Sequence, residues 1–118
     1  MPDRVLIVDD HIGFRRLARL LLEQIGRVVV GEAGTGAEAL SKARRLKPDL
    51  VLLDIQLPDL DGLAVAASLT SGAEPPGVVL VSSRDATDYG PLLDGCGALG
   101  FIAKADLSVE SLTALLEA

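Results

Sequence analysis

Two apolar runs in this chain end on carboxylates. Val5-Leu6-Ile7-Val8 stops at Asp9 and Asp10, and Leu50-Val51-Leu52-Leu53 stops at Asp54. A short apolar run without alternation is the pattern of a strand covered on both faces, as in parallel sheets wrapped by helices. Open α/β sheets take their ligands where such strands end, at the carboxyl edge. If the two strands are neighbours, three carboxylates share one crevice, and like charges ~5 Å apart repel by roughly 3 kcal/mol at an effective dielectric of about 20. That is a heavy penalty in a domain whose whole stability is ~5–15 kcal/mol, so the crevice calls for a cation. Three carboxylates suit Mg²⁺, which takes one or two of them and keeps several waters. A carboxylate can also be a nucleophile toward a phosphoryl group. Ser82 ends a third apolar run, Val78-Val79-Leu80-Val81, and Lys104 follows a fourth, Leu99-Gly100-Phe101-Ile102. A hydroxyl donor and a point charge complete what phosphoryl transfer asks for, positioning and charge neutralisation.

The elements that must position these groups alternate regularly. Strands are expected over 4–8, 28–33, 50–54, 78–81 and 99–102. Between the first two, Phe14, Leu17, Ala18, Leu21, Leu22 and Ile25 recur at helical spacing, with Arg15, Arg16, Arg19 and Glu23 on the other face and Gly26 as the stop. Thr35 followed by Glu38 is a capping box opening a helix that buries Ala39, Leu40, Ala43 and Leu46, which Pro48 ends. A short helix begins near Asp61, and Ser71-Gly72-Ala73-Glu74-Pro75-Pro76-Gly77 is a loop. A fourth helix over 85–96 carries Gly90 and Pro91 and is expected to be short or kinked; a fifth, capped by Ser108, carries Val109, Leu112, Leu115 and Leu116. Five βα units joined by short loops predict an α/β fold, a doubly wound five-stranded parallel sheet with five helices.

Composition narrows the class. The chain of 118 residues reads as one domain, 1–118, with 49% apolar but only 3% aromatic residues, so its core is aliphatic. A net charge of −6 argues against direct binding of nucleic acid or an anionic membrane by this domain. No stretch approaches the ~18 apolar residues of a membrane span, and no targeting segment is expected, which points to the cytoplasm. Cys96 stands alone, so neither a disulfide nor a multi-cysteine metal site is available, and it reads as a buried filler.

In this order and on these strand ends, the acidic pair, the lone Asp54, Pro58 and Gly62 in the next loop, Ser82 and Lys104 resemble the receiver domain of two-component response regulators, a family that includes the bacterial chemotaxis protein. The resemblance covers essentially the whole chain. It implies a flavodoxin-like sheet of order 2-1-3-4-5 and a phosphorylation-dependent switch in a phosphorelay. Asp54 would accept a phosphoryl group from a phosphohistidine on a sensor histidine kinase. Asp10 would ligate Mg²⁺ directly, Asp9 through water, and Asp54 and the backbone carbonyl of Gln56 would complete the site. Lys104 would pair with the carboxylate before transfer and with the phosphoryl oxygens after it. Ser82 would swing to the phosphoryl group and Phe101 would follow it inward, by packing, since it lacks tyrosine's hydroxyl. Gln56 and Arg84 would tune the lifetime of the acyl phosphate. The signal would leave through the face formed by the fourth helix, fifth strand and fifth helix, toward an output domain, a downstream protein or a second copy. Such a protein catalyses nothing beyond its own phosphorylation and dephosphorylation. Ala105 stands where many receivers have proline, so a trans bond is expected; Asp10-His11 and Gly100-Phe101-Ile102-Ala103-Lys104-Ala105 resemble receivers with helix-turn-helix outputs.

Each residue also has a plainer role. Asp9 and Asp10 could simply favour a helix dipole, Ser82 could cap a helix, Phe101 could be ordinary strand filling, and His11 could be a surface residue. The basic clusters Arg15, Arg16, Arg19 and Arg44, Arg45, Lys47 are expected on solvated helix faces. A rival motif is Gly34-Thr35-Gly36-Ala37-Glu38-Ala39, a G-x-G-x-x-A after a strand with Asp54 following, which would bind a dinucleotide phosphate at a helix start. It leaves Asp9, Asp10, Ser82 and Lys104 without a task. A haloacid-dehalogenase-type phosphatase wants D-x-D, which Asp9-Asp10-His11 is not, and a degenerate receiver acting only as an interaction module would not need the full acid set.

Overall fold

The computed structural model describes residues 4–83 and 97–117. Five strands, β1 (Arg4–Val8), β2 (Val28–Ala33), β3 (Leu50–Asp54), β4 (Gly77–Ser82) and β5 (Gly100–Ala103), form one parallel sheet in the order β2-β1-β3-β4-β5. Four α-helices accompany it among the described residues: α1 (Ile12–Gln24), α2 (Gly36–Leu46), α3 (Gly62–Leu69) and α4 (Val109–Leu116). The helix expected over 85–96, together with Arg84 and Cys96, lies outside the described residues. The five strands and their order match the expectation, and of the five expected helices four are described.

Strand side chains alternate between the two sheet faces, and both faces are apolar. Leu6, Val8, Val51, Leu53, Val78 and Leu80 pack on one side with Ala39 of α2 and Val65 and Ala66 of α3. Val5, Ile7, Leu50, Leu52, Val79 and Val81 pack on the other with Ala18 and Leu22 of α1 and Leu112 of α4. This is why β1, β3 and β4 read as unbroken apolar runs. Helix ends follow local chemistry: Gly26, at φ +83°, turns the chain after α1, and Lys47 ends α2 as a left-handed cap.

Several boundaries differ from the sequence expectation by one residue: β4 extends to Gly77 and Ser82, and β5 starts at Gly100. β5 runs one residue further, to Ala103, and Lys104 opens a 3₁₀ turn, Lys104–Asp106, that the sequence pattern does not announce. No cis peptide bond occurs among the described residues. For the site, the decisive fact is register. Val8 lies opposite Leu53 on β3, and Asp54 opposite Val81 on β4. The residues that follow β1 and end β3 therefore leave the sheet side by side, at the reversal of strand order where open sheets have their crevice.

Candidate functional site

The crevice forms as expected at the carboxyl edge. Asp9 is fully buried and Asp54 nearly so, while Asp10 and His11 lie at the rim. Lys104 reaches in from the end of β5, with Nζ 2.6 Å from Asp9 Oδ2 and 3.3 Å from Asp54 Oδ2, and 4.5 Å from the centre of the Phe14 ring. The lysine thus bridges both carboxylates and lies closer to Asp9. Asp54 Oδ1 accepts the Gln56 backbone N–H at 3.1 Å, and Asp9 Oδ1 accepts that of His11 at 2.8 Å. The His11 ring approaches Asp10 Oδ1 to 3.0 Å. Gly62 is needed for closeness: a Cβ there would lie 2.5 Å from Ile55 Cα, so only glycine lets α3 start against the end of β3.

The electrostatics show a group of acids held together against their preference. Burial pushes the Asp54 carboxyl above its ordinary value; the Gln56 N–H opposes this, the Asp9 charge adds to it, and Lys104 opposes it. Burial alone would lower the Lys104 ammonium, but its bond to Asp9 and the charges of Asp54 and Asp9 outweigh that and raise it. Oxygens of Asp9, Asp10 and Asp54 and a ring nitrogen of His11 all lie within 4.8 Å of one another. Asp9 Oδ2 is buried and lies 2.6 Å from Lys104 Nζ, which meets its charge. A compact set of oxygens from three carboxyl groups fits a hard divalent cation.

The remaining site candidates divide. Ser82 is buried at the end of β4, paired in register with Ala103, one residue before Lys104. Phe101 is half-buried opposite Leu80 on β5 and lines a cleft of about 550 Å³ with Ala103, Asp106, Ser111 and Leu115. The exposed Gln56 side chain accepts a hydrogen bond from Ser83 Oγ at 3.2 Å. A larger cavity of about 720 Å³ opens elsewhere, lined by Leu40, Arg44, Lys47, Pro48, Leu69 and Pro76. It contains none of the acid set, so size alone does not single out the acid-lined crevice.

The rival phosphate motif meets a protein carboxylate instead. Asp59 accepts the backbone N–H groups of Gly36 and Ala37 at 2.7 and 3.0 Å, and Thr35 Oγ1 accepts that of Glu38 at 3.1 Å. Glu38 turns back to the Gly34 N–H at 2.7 Å, one residue before the position a strict capping box uses. The helix start that a dinucleotide phosphate would need is filled from within the chain.

Two residues expected on a solvated face prove to be tied to β2. Arg15 Nε donates to Glu32 Oε1 at 2.9 Å and its guanidinium also donates to the Asp9 carbonyl at 2.5 Å; Arg19 donates to Glu32 Oε2 at 2.8 Å. These bonds hold the Glu32 carboxyl below its ordinary value, Arg19 contributing most. The signal available in the sequence was a lone acid, Glu32, at the end of an apolar strand beside an arginine-bearing helix.

Fold and crevice together define a flavodoxin-like α/β protein with an acid-lined carboxyl edge. The chain belongs to the response regulator receiver domain family, whose model matches residues 5–117. It is 38% identical over 114 residues to BvgA of Bordetella pertussis, named for positive transcription regulation of virulence factors, covering 97% of this chain and 54% of that protein. It is 37% identical over 113 residues to the response regulator GacA of Pseudomonas viridiflava, covering 95% of this chain and 53% of that protein. The signal receiver domain of a NarL response regulator from Mycobacterium tuberculosis superposes with a TM-score of 0.87 at 37% identity, over 98% of this chain and 94% of that one. The chain spans about half the length of the curated relatives it matches.

Proposed function

We propose that the chain is a phosphorylation switch in a two-component system, in which Asp54 accepts a phosphoryl group from the phosphohistidine of a sensor histidine kinase. The observation that carries this is the Lys104 ammonium set between the buried Asp9 and Asp54 carboxylates at the crevice. Desolvation, which raises the Asp54 carboxyl, also leaves its carboxylate a poorly solvated nucleophile, and the Gln56 N–H fixes one of its oxygens. An Asp54 oxygen forms the bond to phosphorus as the phosphorus–nitrogen bond breaks, and the electron pair returns to the imidazole. Lys104, already at the acceptor, follows the new negative charge to the phosphoryl oxygens.

Asp10 directly, Asp9 through water, Asp54 and the Gln56 carbonyl would hold Mg²⁺. When bound, the cation offsets the crowded negative charge and orients the phosphoryl group. Ser82 and Phe101 read out the added charge, Ser82 as donor and Phe101 by repacking on the β5–α4 face. Gln56 and Arg84 set the lifetime. The domain, 1–118, catalyses no other reaction, works in the cytoplasm, and controls transcription through an output domain or partner, as the names of its relatives suggest. No helix among the described residues is long and apolar enough to cross a membrane.

Incubation with acetyl phosphate and Mg²⁺ should add one phosphoryl group by intact mass. The adduct should disappear without Mg²⁺ and in Asp54→Asn. An adduct that persists in either case refutes the mechanism.

A further inference from the structure

Asp9 is fixed by more than its side chain. Its N–H donates to the Ala33 carbonyl of β2 at 3.0 Å, closing the β1–β2 ladder. Its carbonyl accepts from the Arg15 guanidinium of α1 at 2.5 Å, and that guanidinium is itself locked by Glu32, the neighbour of Ala33 on β2. The Asp9–Asp10 peptide unit is therefore held between a strand and a helix by one planar fork. Arg15 is mostly buried, with 18% of its side chain exposed. Asp10 follows this peptide and stands at the exposed rim, where its side chain meets the exposed ring of His11. The orientation of the Asp9–Asp10 peptide thus decides where the Asp10 carboxylate points.

We propose that Arg15, locked by Glu32, is a positioning residue for the cation site, setting cation affinity by fixing the Asp9–Asp10 peptide without touching the ion. This rests on the cation-dependent reading above. A carboxylate site needs its ligands within about half an ångström of their working geometry. Groups that orient ligands from behind typically change metal affinity by about 10–100-fold when lost. The arrangement requires a fork with two separate donor directions. A lysine retains the charge, but its donors all radiate from one nitrogen and cannot reproduce the fork's two fixed, separated donor directions toward Glu32 and the Asp9 carbonyl. Arg19 supplies the comparison within the same cluster, since it pairs with Glu32 and Glu23 and makes no contact with Asp9.

The test is Mn²⁺ binding to the intact chain, measured by electron paramagnetic resonance of the free ion, for the native protein, Arg15→Lys and Arg19→Lys. Arg15→Lys should weaken binding by about 10-fold, with Arg19→Lys within about two-fold of native. Thermal unfolding without metal should show both variants folded at the assay temperature, and phosphoryl labelling of Arg15→Lys at limiting Mg²⁺ should recover at saturating Mg²⁺. Native affinity in Arg15→Lys overturns the proposal, as does an equal loss in both variants, which would make the effect a general one of the salt-bridge cluster. A native chain that binds no Mn²⁺ overturns the cation reading itself, and that result is separable because it appears before any substitution.

Discussion

Two strand-to-helix turns lie side by side at the carboxyl edge of this sheet, and they handle charge in opposite ways. The β2–α2 turn is saturated: Thr35, Glu38 and Asp59 each accept a backbone N–H at or beside the start of α2. The β1–α1 turn is not. Its helix starts at His11 without a side-chain cap, and the acids before it face a buried Asp54 and a lysine. Only the first turn matches a familiar phosphate-binding pattern, yet its Gly34, Gly36, Ala37 and Glu38 N–H groups are already taken by side chains of the chain itself. The second has charge in excess of what the chain itself neutralises. Unspent charge picks out the candidate site better than motif shape does.

The sharpest way to break this comparison is to remove the lysine. Lys104→Met leaves Asp9 and Asp54 buried against each other and should lower stability by about 3 kcal/mol at pH 7, the low end for deleting one partner of a buried ion pair. Urea denaturation at pH 7 measures it. Adding Asp54→Asn to Lys104→Met should restore part of the loss. A Lys104→Met protein as stable as the native would show that the crevice carries no real electrostatic strain.

Much of this was legible in the sequence, for a physical reason. A strand covered on both faces must be apolar throughout, so a carboxylate at its end is conspicuous, and β1, β3 and β4 announced both themselves and the crevice. Thr35 with Glu38 announced the start of α2, because capping is a local interaction. What was not legible depends on contacts between segments distant in sequence. Asp59 serves a helix that begins 23 residues before it, and Arg15 reaches Glu32 across 17 residues. Neither spacing is a local repeat, so Arg15 and Arg19 looked like ordinary solvated positions. The 3₁₀ turn at Lys104 was hidden for a related reason: Leu107 closes it on the Lys104 carbonyl, but the Lys104 side chain is held by the distant Asp9 and Asp54.

A smaller effect of opposite sign is expected at Asp54, the proposed phosphoacceptor. Asp54 has a carboxyl raised in the folded state, so it favours the fold when protonated and opposes it when ionised. Asp54→Asn should therefore stabilise the protein at pH 7, by about 1 kcal/mol, the scale of one partly compensated charge repulsion. That gain should shrink as pH falls through the raised carboxyl range, where the native Asp54 also becomes neutral. Equal stabilities at pH 7 would mean that Lys104 fully compensates the ionised carboxylate.

The smallest effect comes from the saturated turn and runs the other way in pH. Asp59 is held below its ordinary value by the Gly36 N–H first and the Ala37 N–H second. A depressed folded value means that its contribution is present above the unfolded aspartate value, ~3.9, and is lost as pH falls through the lower folded value. Asp59→Asn keeps an acceptor but removes the charge, so it should lower the urea midpoint slightly at pH 7 and by the same amount at pH 5. The deficit should close only below about pH 4, where the native carboxylate begins to protonate. The Asp54→Asn gain, tied to a raised carboxyl, should begin to fade at a higher pH than the Asp59→Asn deficit does. Midpoints for the native protein and both variants, taken from pH 7 down to pH 3, compare the two carboxylates directly. If both differences fade at the same pH, the contrast between a strained acid and a satisfied one is lost.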